Sequence, residues 1–226
     1  MTETGASTMT RPQDDPERAI YSDGVVLPLM DVRVVNDAGL ALPAGSEQGV
    51  LKGLYCLQPA DGADVQLLGS GTILNEVLAA ADLLRDDFGL QANVWSATSF
   101  NLLARDGRAA ERHNRLHPTT APQQGWVEQQ LAGQQGPFIA ATDYIRAYAE
   151  QIREWVPGRY TVLGTDGFGR SDSRANLRRH FEVDRYHVVI AALKALADEG
   201  RLPAGRVAEA IARYGIDADR PAPWTV

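Results

Sequence analysis

Short apolar runs separated by longer segments from residue 65 onward constrain the fold more than any other feature. The runs are 65–68, 92–96, 138–141 and 160–163. A strand that returns to its sheet through a helical connection lies parallel to the preceding strand. The sequence therefore predicts an α/β domain of three layers, with a mainly parallel, doubly wound sheet. A further run at 54–57, followed by a short turn around Asp61-Gly62, is predicted as an antiparallel edge strand.

Caps, glycines and apolar spacing predict the helices. A helix is expected from Thr72 to Phe88, ended by Gly89, with Glu76 away from its apolar stripe. Asp143 is expected to cap a helix that continues to Val156. The more polar segment 101–117 is predicted as a broken helix. Further helices are predicted at 126–131, 184–199 and 203–214.

Composition limits the class of protein. A chain of 226 residues that is 44% hydrophobic is long enough for one well-buried domain and an extension. The expected divisions are a disordered tail at 1–20, an extension and linker at 21–52, the α/β domain at 53–219 and a tail at 220–226. The net charge of −7 argues against a nucleic-acid partner. No apolar run reaches the roughly 20 residues of a membrane helix, so no membrane contact is expected.

The stretch from Tyr160 to Asp184 joins a strand, a glycine-containing loop and a helix, which Ser171 or Asp172 is predicted to cap. Such a loop lies at the carboxyl edge of the sheet, where ligands and partners gather in α/β proteins. It is a candidate interface or anion loop, formed by Asp166, Gly167, Phe168, Gly169, Arg170, Ser171 and Asp172. For the basic cluster that follows, a solvated face is favoured over an anion or partner site; its members are Arg170, Arg174, Arg178 and Arg179.

Two motifs near predicted helix starts resemble functional patterns but lack a required residue. Gly69-Ser70-Gly71 follows a strand, but Leu74 occupies the place of the third glycine in a dinucleotide-binding fingerprint, so a tight turn is favoured. Ser171, Asp172 and His180 suggest a hydrolase triad, but the nucleophile elbow G-x-S-x-G is absent. Helix capping is the simpler explanation for the two residues at 171 and 172.

Histidine and cysteine also indicate structural roles. His113 and His117 have the spacing of metal ligands on a helix, but Asn114 stands where a zinc protease needs glutamate, so structural histidines are favoured. Cys56 lies in a predicted strand and is interpreted as a buried thiol. As the single cysteine it excludes an internal disulfide and favours a reducing, cytoplasmic environment.

The string GTDGFGRSDSRANLRRHFEVD at 164–184 resembles the C-terminal domain of the homodimeric type of pyruvate dehydrogenase first component, a thiamine-diphosphate-dependent relative of transketolase. Further similar strings follow in the family's order: VQLLGSGTIL at 65–74, SATSFNLLARDG at 96–107, LHP at 116–118, ATDYIRAYAEQIREWVP at 141–157 and YGIDAD at 214–219. VRVVNDAGLALPAG, beginning with a predicted strand at 32–35, resembles the linker from the preceding domain. The resemblance covers roughly residues 32–219.

The resemblance implies an enzyme of three domains. The first two domains, from opposite subunits, are implied to hold thiamine diphosphate, magnesium and the catalytic histidines and glutamate. This chain resembles only the third. The cofactor signature G-D-G followed by N-N is missing, since Thr165-Asp166-Gly167 lacks the first glycine. The resemblance therefore carries no catalytic, cofactor-binding or metal-binding residue over to this sequence.

The function implied is that of a non-catalytic C-terminal subunit or domain of a pyruvate dehydrogenase/transketolase-type enzyme, which transfers a two-carbon unit. The polar start at Met1 and the unfamiliar segment 20–31 favour a split enzyme, in which this chain is inactive by itself and forms an oligomer with a subunit carrying the thiamine-binding domains. A lipoyl or acyl carrier protein is a further expected partner. One alternative is a subunit of a specialised transketolase that delivers a two-carbon ketol unit to a carrier protein. Another is a stand-alone module that binds an anion or a partner.

Overall fold

The computed structural model describes residues 8–9, 25–26 and 46–225, and the chain divides into two compact units, 1–44 and 45–226. In the first unit, the described residues form two short strands, β1 (Thr8–Met9) and β2 (Val25–Val26), which pair antiparallel. The strand predicted at 32–35 lies outside the described residues.

The second unit contains a five-stranded sheet. Its strands are β3 (Leu54–Gln58), β4 (Val65–Gly69), β5 (Ala92–Ala97), β6 (Phe138–Ala141) and β7 (Tyr160–Leu163). The order across the sheet is β3-β5-β4-β6-β7, and all neighbours are parallel except β3 and β5. The predicted α/β class with one antiparallel edge strand is confirmed. The short turn after β3 does not form a hairpin with β4, because β5 and β6 occupy both edges of that strand.

Helices cover both faces of the sheet. They are α1 (Ser46–Lys52), α2 (Leu74–Phe88), α3 (Phe100–Leu116), α4 (Trp126–Leu131), α5 (Arg146–Glu150), α6 (Arg174–His180), α7 (Arg185–Asp198) and α8 (Ala204–Arg213). Short 3-10 turns lie at Gly71–Ile73, Arg153–Trp155 and Pro223–Thr225. Successive residues of β4 point to opposite faces, so Leu67 packs with α2 and α7 while Leu68 packs with α3 and α4. The two resulting cores give the three layers.

The broken helix predicted at 101–117 is wrong, because α3 is continuous. Ser99 caps it, its hydroxyl accepting a hydrogen bond from the backbone N–H of Leu102 at 3.2 Å. A helical stripe, formed by Phe100, Leu103, Ala104, Gly107 and Ala110, is buried against the sheet. Polar residues on the exposed face obscured this stripe in the sequence.

The long helix predicted from Asp143 to Val156 is also wrong. Only Arg146–Glu150 is α-helical, followed by the 3-10 turn at Arg153–Trp155. The backbone carbonyl of Tyr144 accepts from the N–H of Thr165 at 2.9 Å, so the chain after β6 remains bonded to the chain after β7. The helix can begin only after this link. Within the described part of the chain, none of the helices has the length and hydropathy needed to span a bilayer.

Candidate functional site

The loop after β7 lies at the carboxyl edge of the sheet, beside the point where the winding of the sheet reverses. The neighbours of β4 are β5 on one side and β6 on the other, and doubly wound sheets form ligand crevices where the strand order reverses in this way. A pocket of about 330 Å³ opens here. Its lining comes from the chain after β4, β6 and β7 and from the segment up to α7: Thr72, Ile73, Asp143, Thr165, Gly167, Gly169, Arg170, Arg174, Leu177, Arg178, Phe181 and Val183.

Asp166 of the predicted loop is used in holding that loop. Its carboxylate accepts hydrogen bonds from the backbone N–H of Arg146 at 2.9 Å and from Nε of Arg146 at 2.5 Å. Partial burial raises the pKa of the Asp166 carboxyl, but the hydrogen bonds from Arg146 outweigh it, so the pKa lies below its ordinary value. Asp166 therefore joins the loop to the start of α5.

Gly167 is held against the last described residues of the chain. It has φ of 106°, and a Cβ placed there would lie 2.8 Å from the carbonyl oxygen of Pro223. The guanidinium of Arg146 lies over the ring of Trp224, 4.9 Å from its centroid. Arg220, in the segment predicted as a tail, donates a hydrogen bond to the carbonyl of His180 at 2.5 Å. The loop is thus packed between α5 and residues 220–225.

The predicted cap of the following helix is wrong. Ser173, not Ser171 or Asp172, caps α6, its hydroxyl accepting from the N–H of Asn176 at 3.3 Å. Asp172 instead accepts from the side-chain amide of Asn176 at 2.9 Å and from the N–H of Ser173 at 2.6 Å. These two hydrogen bonds, the first more than the second, hold the pKa of Asp172 below its ordinary value. Ser171 is exposed.

Phe168 points away from the protein, with 84% of its surface exposed. Three other large apolar side chains are exposed on segments bonded to or packed on the loop; they are Tyr144, Ile145 and Trp224. We call these four residues the edge patch. Exposed apolar side chains on neighbouring segments are a feature of interaction sites.

The basic cluster divides into two pairs. Arg178 donates to the buried carboxylate of Glu76 at 2.7 Å, and Arg179 donates to the carbonyl of Gly215 at 2.6 Å, so these two arginines hold the fold. Among the described residues, Arg170 and Arg174 form no ion pair, and both line the pocket. The favoured interpretation of the cluster as a solvated face is therefore wrong for Arg178 and Arg179, which hold the fold.

Sequence reasoning missed the residues that neighbouring segments bring to this pocket. Thr72 follows β4 and donates its hydroxyl to the carboxylate of Asp143, after β6, at 3.3 Å. Thr165, after β7, donates its hydroxyl to the carbonyl of Asp143 at 2.8 Å. Glu76, which does not line the pocket but pairs with Arg178 that does, is predicted to lie away from the apolar stripe of α2, yet it is only 5% exposed. The local sequence around these residues carries no signal of their meeting, because they come from separate strands and helices.

The other motifs stay apart from this site. No hydrogen bond connects Ser171, Asp172 and His180 within the described part of the chain. The rings of His113 and His117 contact each other edge-on, 4.4 Å between centroids. The Cys56 thiol is half-buried rather than fully buried, and burial raises its pKa despite a hydrogen bond from the backbone of Gln58.

Gly69-Ser70-Gly71 forms a tight turn. A Cβ on Gly69 would lie 2.7 Å from the Cα of Leu74, which leaves no room for a side chain between the strand and the helix that follows. Gly71 has φ of 56°, a backbone conformation that favours glycine. The close approach of strand and helix requires Gly69, and the left-handed backbone requires Gly71.

Comparison with known proteins matches most of the second unit. The transketolase-like TK C-terminal domain family matches residues 53–184. The pyruvate dehydrogenase E1 component of Pseudomonas aeruginosa is 60% identical over 187 residues, which cover 81% of this chain and 21% of that protein. The same-named protein of Escherichia coli K12 is 50% identical over 186 residues, with the same shares. Transketolase from Leishmania mexicana has a TM-score of 0.49 at 18% identity, covering 70% of this chain and 20% of that one. The chain spans about a fifth of the length of the curated relatives it matches.

Proposed function

Because this chain belongs to the transketolase-like C-terminal domain family, we propose that it supplies the non-catalytic C-terminal domain of a thiamine-diphosphate-dependent pyruvate dehydrogenase E1 component. The observation that carries the proposal is the 60% identity to the Pseudomonas aeruginosa protein over 81% of this chain. That match reaches only 21% of the relative, and the remaining domains of such an enzyme are not among the residues matched. We place them on a partner subunit.

We propose that this chain does not itself hold the cofactor of that enzyme class. Magnesium bound to a diphosphate needs carboxylate or amide oxygens that converge on one point. Within the described ranges, no three side chains of His, Cys, Asp or Glu come together in a way that could hold a metal ion. We therefore assign thiamine diphosphate and magnesium to the partner, together with decarboxylation of the 2-oxo acid and transfer of the two-carbon unit to a lipoyl group.

The edge patch supports a contact role for the loop. Asp166, Gly167 and Asp172 are used in hydrogen bonds and packing that hold the loop in one conformation, whereas Phe168 is left exposed. A rigid loop with an exposed aromatic residue loses little conformational entropy when a partner covers that residue. We propose that the edge patch contacts the thiamine-binding domains.

Reconstitution tests the proposal. The Pseudomonas aeruginosa E1 component, truncated before the region that this chain matches, is mixed with the purified chain, thiamine diphosphate and magnesium. We expect co-elution in size-exclusion chromatography and recovery of pyruvate-dependent reduction of an artificial electron acceptor. The chain alone is expected to show no turnover. Separate elution at micromolar concentration, or turnover by the chain alone, would contradict the proposal.

The choice of substrate is expected to lie in the partner. Delivery of a ketol unit to a carrier protein, the alternative within the enzyme class, predicts activity with a sugar phosphate in place of pyruvate. Applying both substrates to a complex with the native partner separates the two functions.

A further inference from the structure

We propose that the pocket at the ends of β4, β6 and β7 binds a small organic anion, with its phosphate or carboxylate group held by Arg170 and Arg174 and its apolar body resting on Leu177 and Phe181. This site belongs to the chain itself, and the proposal does not depend on the partner assigned above.

Charge is the first support for this site. Three arginines line the pocket, against the single acidic side chain of Asp143. Arg178 is neutralised by Glu76, but Arg170 and Arg174 pair with no acidic group among the described residues. This concentration of positive charge occurs in a chain of net charge −7. Guanidinium groups bind phosphate and carboxylate through two parallel hydrogen bonds, so two uncompensated arginines in the lining of one pocket favour an anion.

The positive charge of Arg170 also affects the pKa of His180. Partial burial lowers the pKa of that histidine, and the positive charges of Arg170 and Arg220 lower it further. Arg170 therefore lies close enough to influence a neighbouring residue of α6. An anion bound at Arg170 would offset part of this lowering of the His180 pKa.

The floor of the pocket selects an apolar body. Ile73 and Val183 are each only 1% exposed, and Leu177 and Phe181 complete the surface between them. The volume of about 330 Å³ lies near the lower end of the range for small-molecule sites, roughly 300–1,000 Å³. A bare inorganic ion would leave this floor unused. A compact aromatic or aliphatic group attached to the anion would cover it.

A polar group in the lining restricts where the charge of the ligand lies. The hydroxyls of Thr72 and Thr165 both donate to Asp143, so these three residues present oxygen lone pairs and a carboxylate to the pocket. Such a surface repels a second anionic group. The pocket therefore favours a ligand with its negative charge at one end only.

Calorimetric titration of the full chain with phenyl phosphate tests the site. We expect one molecule to bind per chain, and inorganic phosphate to bind at least tenfold more weakly because it lacks the apolar body. Benzyl alcohol, which lacks the charge, is expected to give no measurable heat. The double variant Arg170→Ala/Arg174→Ala should weaken the binding of phenyl phosphate at least tenfold.

The matched control is Arg112→Ala/Arg115→Ala, which removes the same charge from exposed positions of α3, a helix that packs on the other face of the sheet. It should leave the Kd for phenyl phosphate unchanged. Equal weakening in both double variants would show a diffuse charge effect and overturn the proposal, as would absence of binding.

A second measurement uses the unaltered chain and so does not depend on the folding of any variant. In amide NMR spectra, phenyl phosphate should shift the signals of residues 72, 143, 165 and 170–183. Shifts confined to other residues would place the ligand elsewhere and overturn the assignment. Failure of reconstitution with the truncated E1 component would leave both measurements unaffected.

Discussion

Neighbouring residues of the loop after β7 have different roles. Asp166 is bonded to Arg146 and fixes the loop, whereas Phe168, two residues later, is 84% exposed. Gly169 and Arg170 face the pocket instead. The segment predicted as one interface or anion loop therefore divides into residues that hold it, an exposed aromatic residue and residues that line a cavity.

Replacing Phe168 tests the partner role at the scale of one residue. Phe168→Ser should weaken assembly with the truncated E1 component at least tenfold, equivalent to about 1.4 kcal/mol. The reason is that the variant lacks the aromatic ring that the partner would bury in the complex. The melting temperature of the isolated chain should stay within about 2 °C of the wild type, since surface substitutions change stability little. Assembly is measured by analytical ultracentrifugation.

Leu116→Ser supplies the control, because Leu116 is a similarly apolar side chain, 53% exposed at the end of α3. It should assemble as the wild type does. If both variants assemble normally, the contact with the thiamine-binding domains lies on another surface.

At the scale of elements, α3 lies exceptionally close to the 3-10 turn at Arg153–Trp155. A Cβ added to Gly107 would lie 2.5 Å from two carbons of the Trp155 indole, and Gly125 also approaches the Cα of Gly107. The indole nitrogen of Trp155 donates to Glu111, one turn further along α3, at 2.7 Å. Gly107 therefore permits a helix-to-turn contact that any side chain would prevent.

A pair of glycine substitutions tests this contact. Gly107→Ala should destabilise the chain by about 1–3 kcal/mol through overpacking. Gly205→Ala, in α8, should instead stabilise it by up to about 1 kcal/mol, because nothing lies within 4 Å of the added Cβ and alanine favours helix. Urea unfolding measures both changes. Equal effects of the two substitutions would contradict the close approach.

At the scale of the whole molecule, two carboxylates join elements that are distant in sequence, and a third, Asp184, caps its own helix. Glu76, on α2, accepts from Arg178 and Arg185, Asp166 accepts from Arg146, and Asp184 accepts from the N–H of His187 at 3.0 Å. Burial raises the pKa of each group, but the hydrogen bonds outweigh it. All three pKa values therefore lie below their ordinary values of 3.8 to 4.5.

Lowered carboxyl pKa values predict loss of stability in acid. The three ionised carboxylates contribute fully to the free energy of unfolding above about pH 4.5, the upper limit of their ordinary pKa values. This contribution is lost as the pH falls through the lower pKa values of the folded state. Urea unfolding between pH 7 and pH 3 should show a free energy of unfolding that is level at first and then declines. A free energy independent of pH down to pH 3 would contradict the role of these groups.

Glu76→Gln isolates the largest of these links. It should cost about 2–3 kcal/mol at pH 7, because two arginines lose their shared counter-charge at a buried position, and it should flatten the acid decline. Asp82→Asn, on the exposed face of the same helix, is the control and should cost less than about 1 kcal/mol.

The sequence predicted correctly those strands and helix ends that are marked by a few consecutive residues. The strands at 138–141 and 160–163 have the predicted bounds, because a short apolar run ended by polar or glycine residues suffices to mark a buried strand. Gly89, Gly200 and Gly215 follow helix ends as expected, each with positive φ. The prediction of a helix beginning at Asp143 is wrong because the carbonyl of Tyr144 accepts a hydrogen bond from the N–H of Thr165, 21 residues later. The helix therefore begins after this hydrogen bond.

By itself, the sequence determined the α/β class, the parallel sheet with its antiparallel edge and the family to which the domain belongs, since these depend on residue patterns along the chain. Only the tertiary structure decided the use of each residue near the loop. Glu76 pairs with Arg178 and Arg185, 102 and 109 residues further along the chain, and Pro223 packs on Gly167, 56 residues before it. Long-range contacts use Arg178 and Arg179 to hold the fold and leave Arg170 and Arg174 lining a pocket. Neighbours in space, not neighbours in sequence, decide the partners and the burial of a side chain.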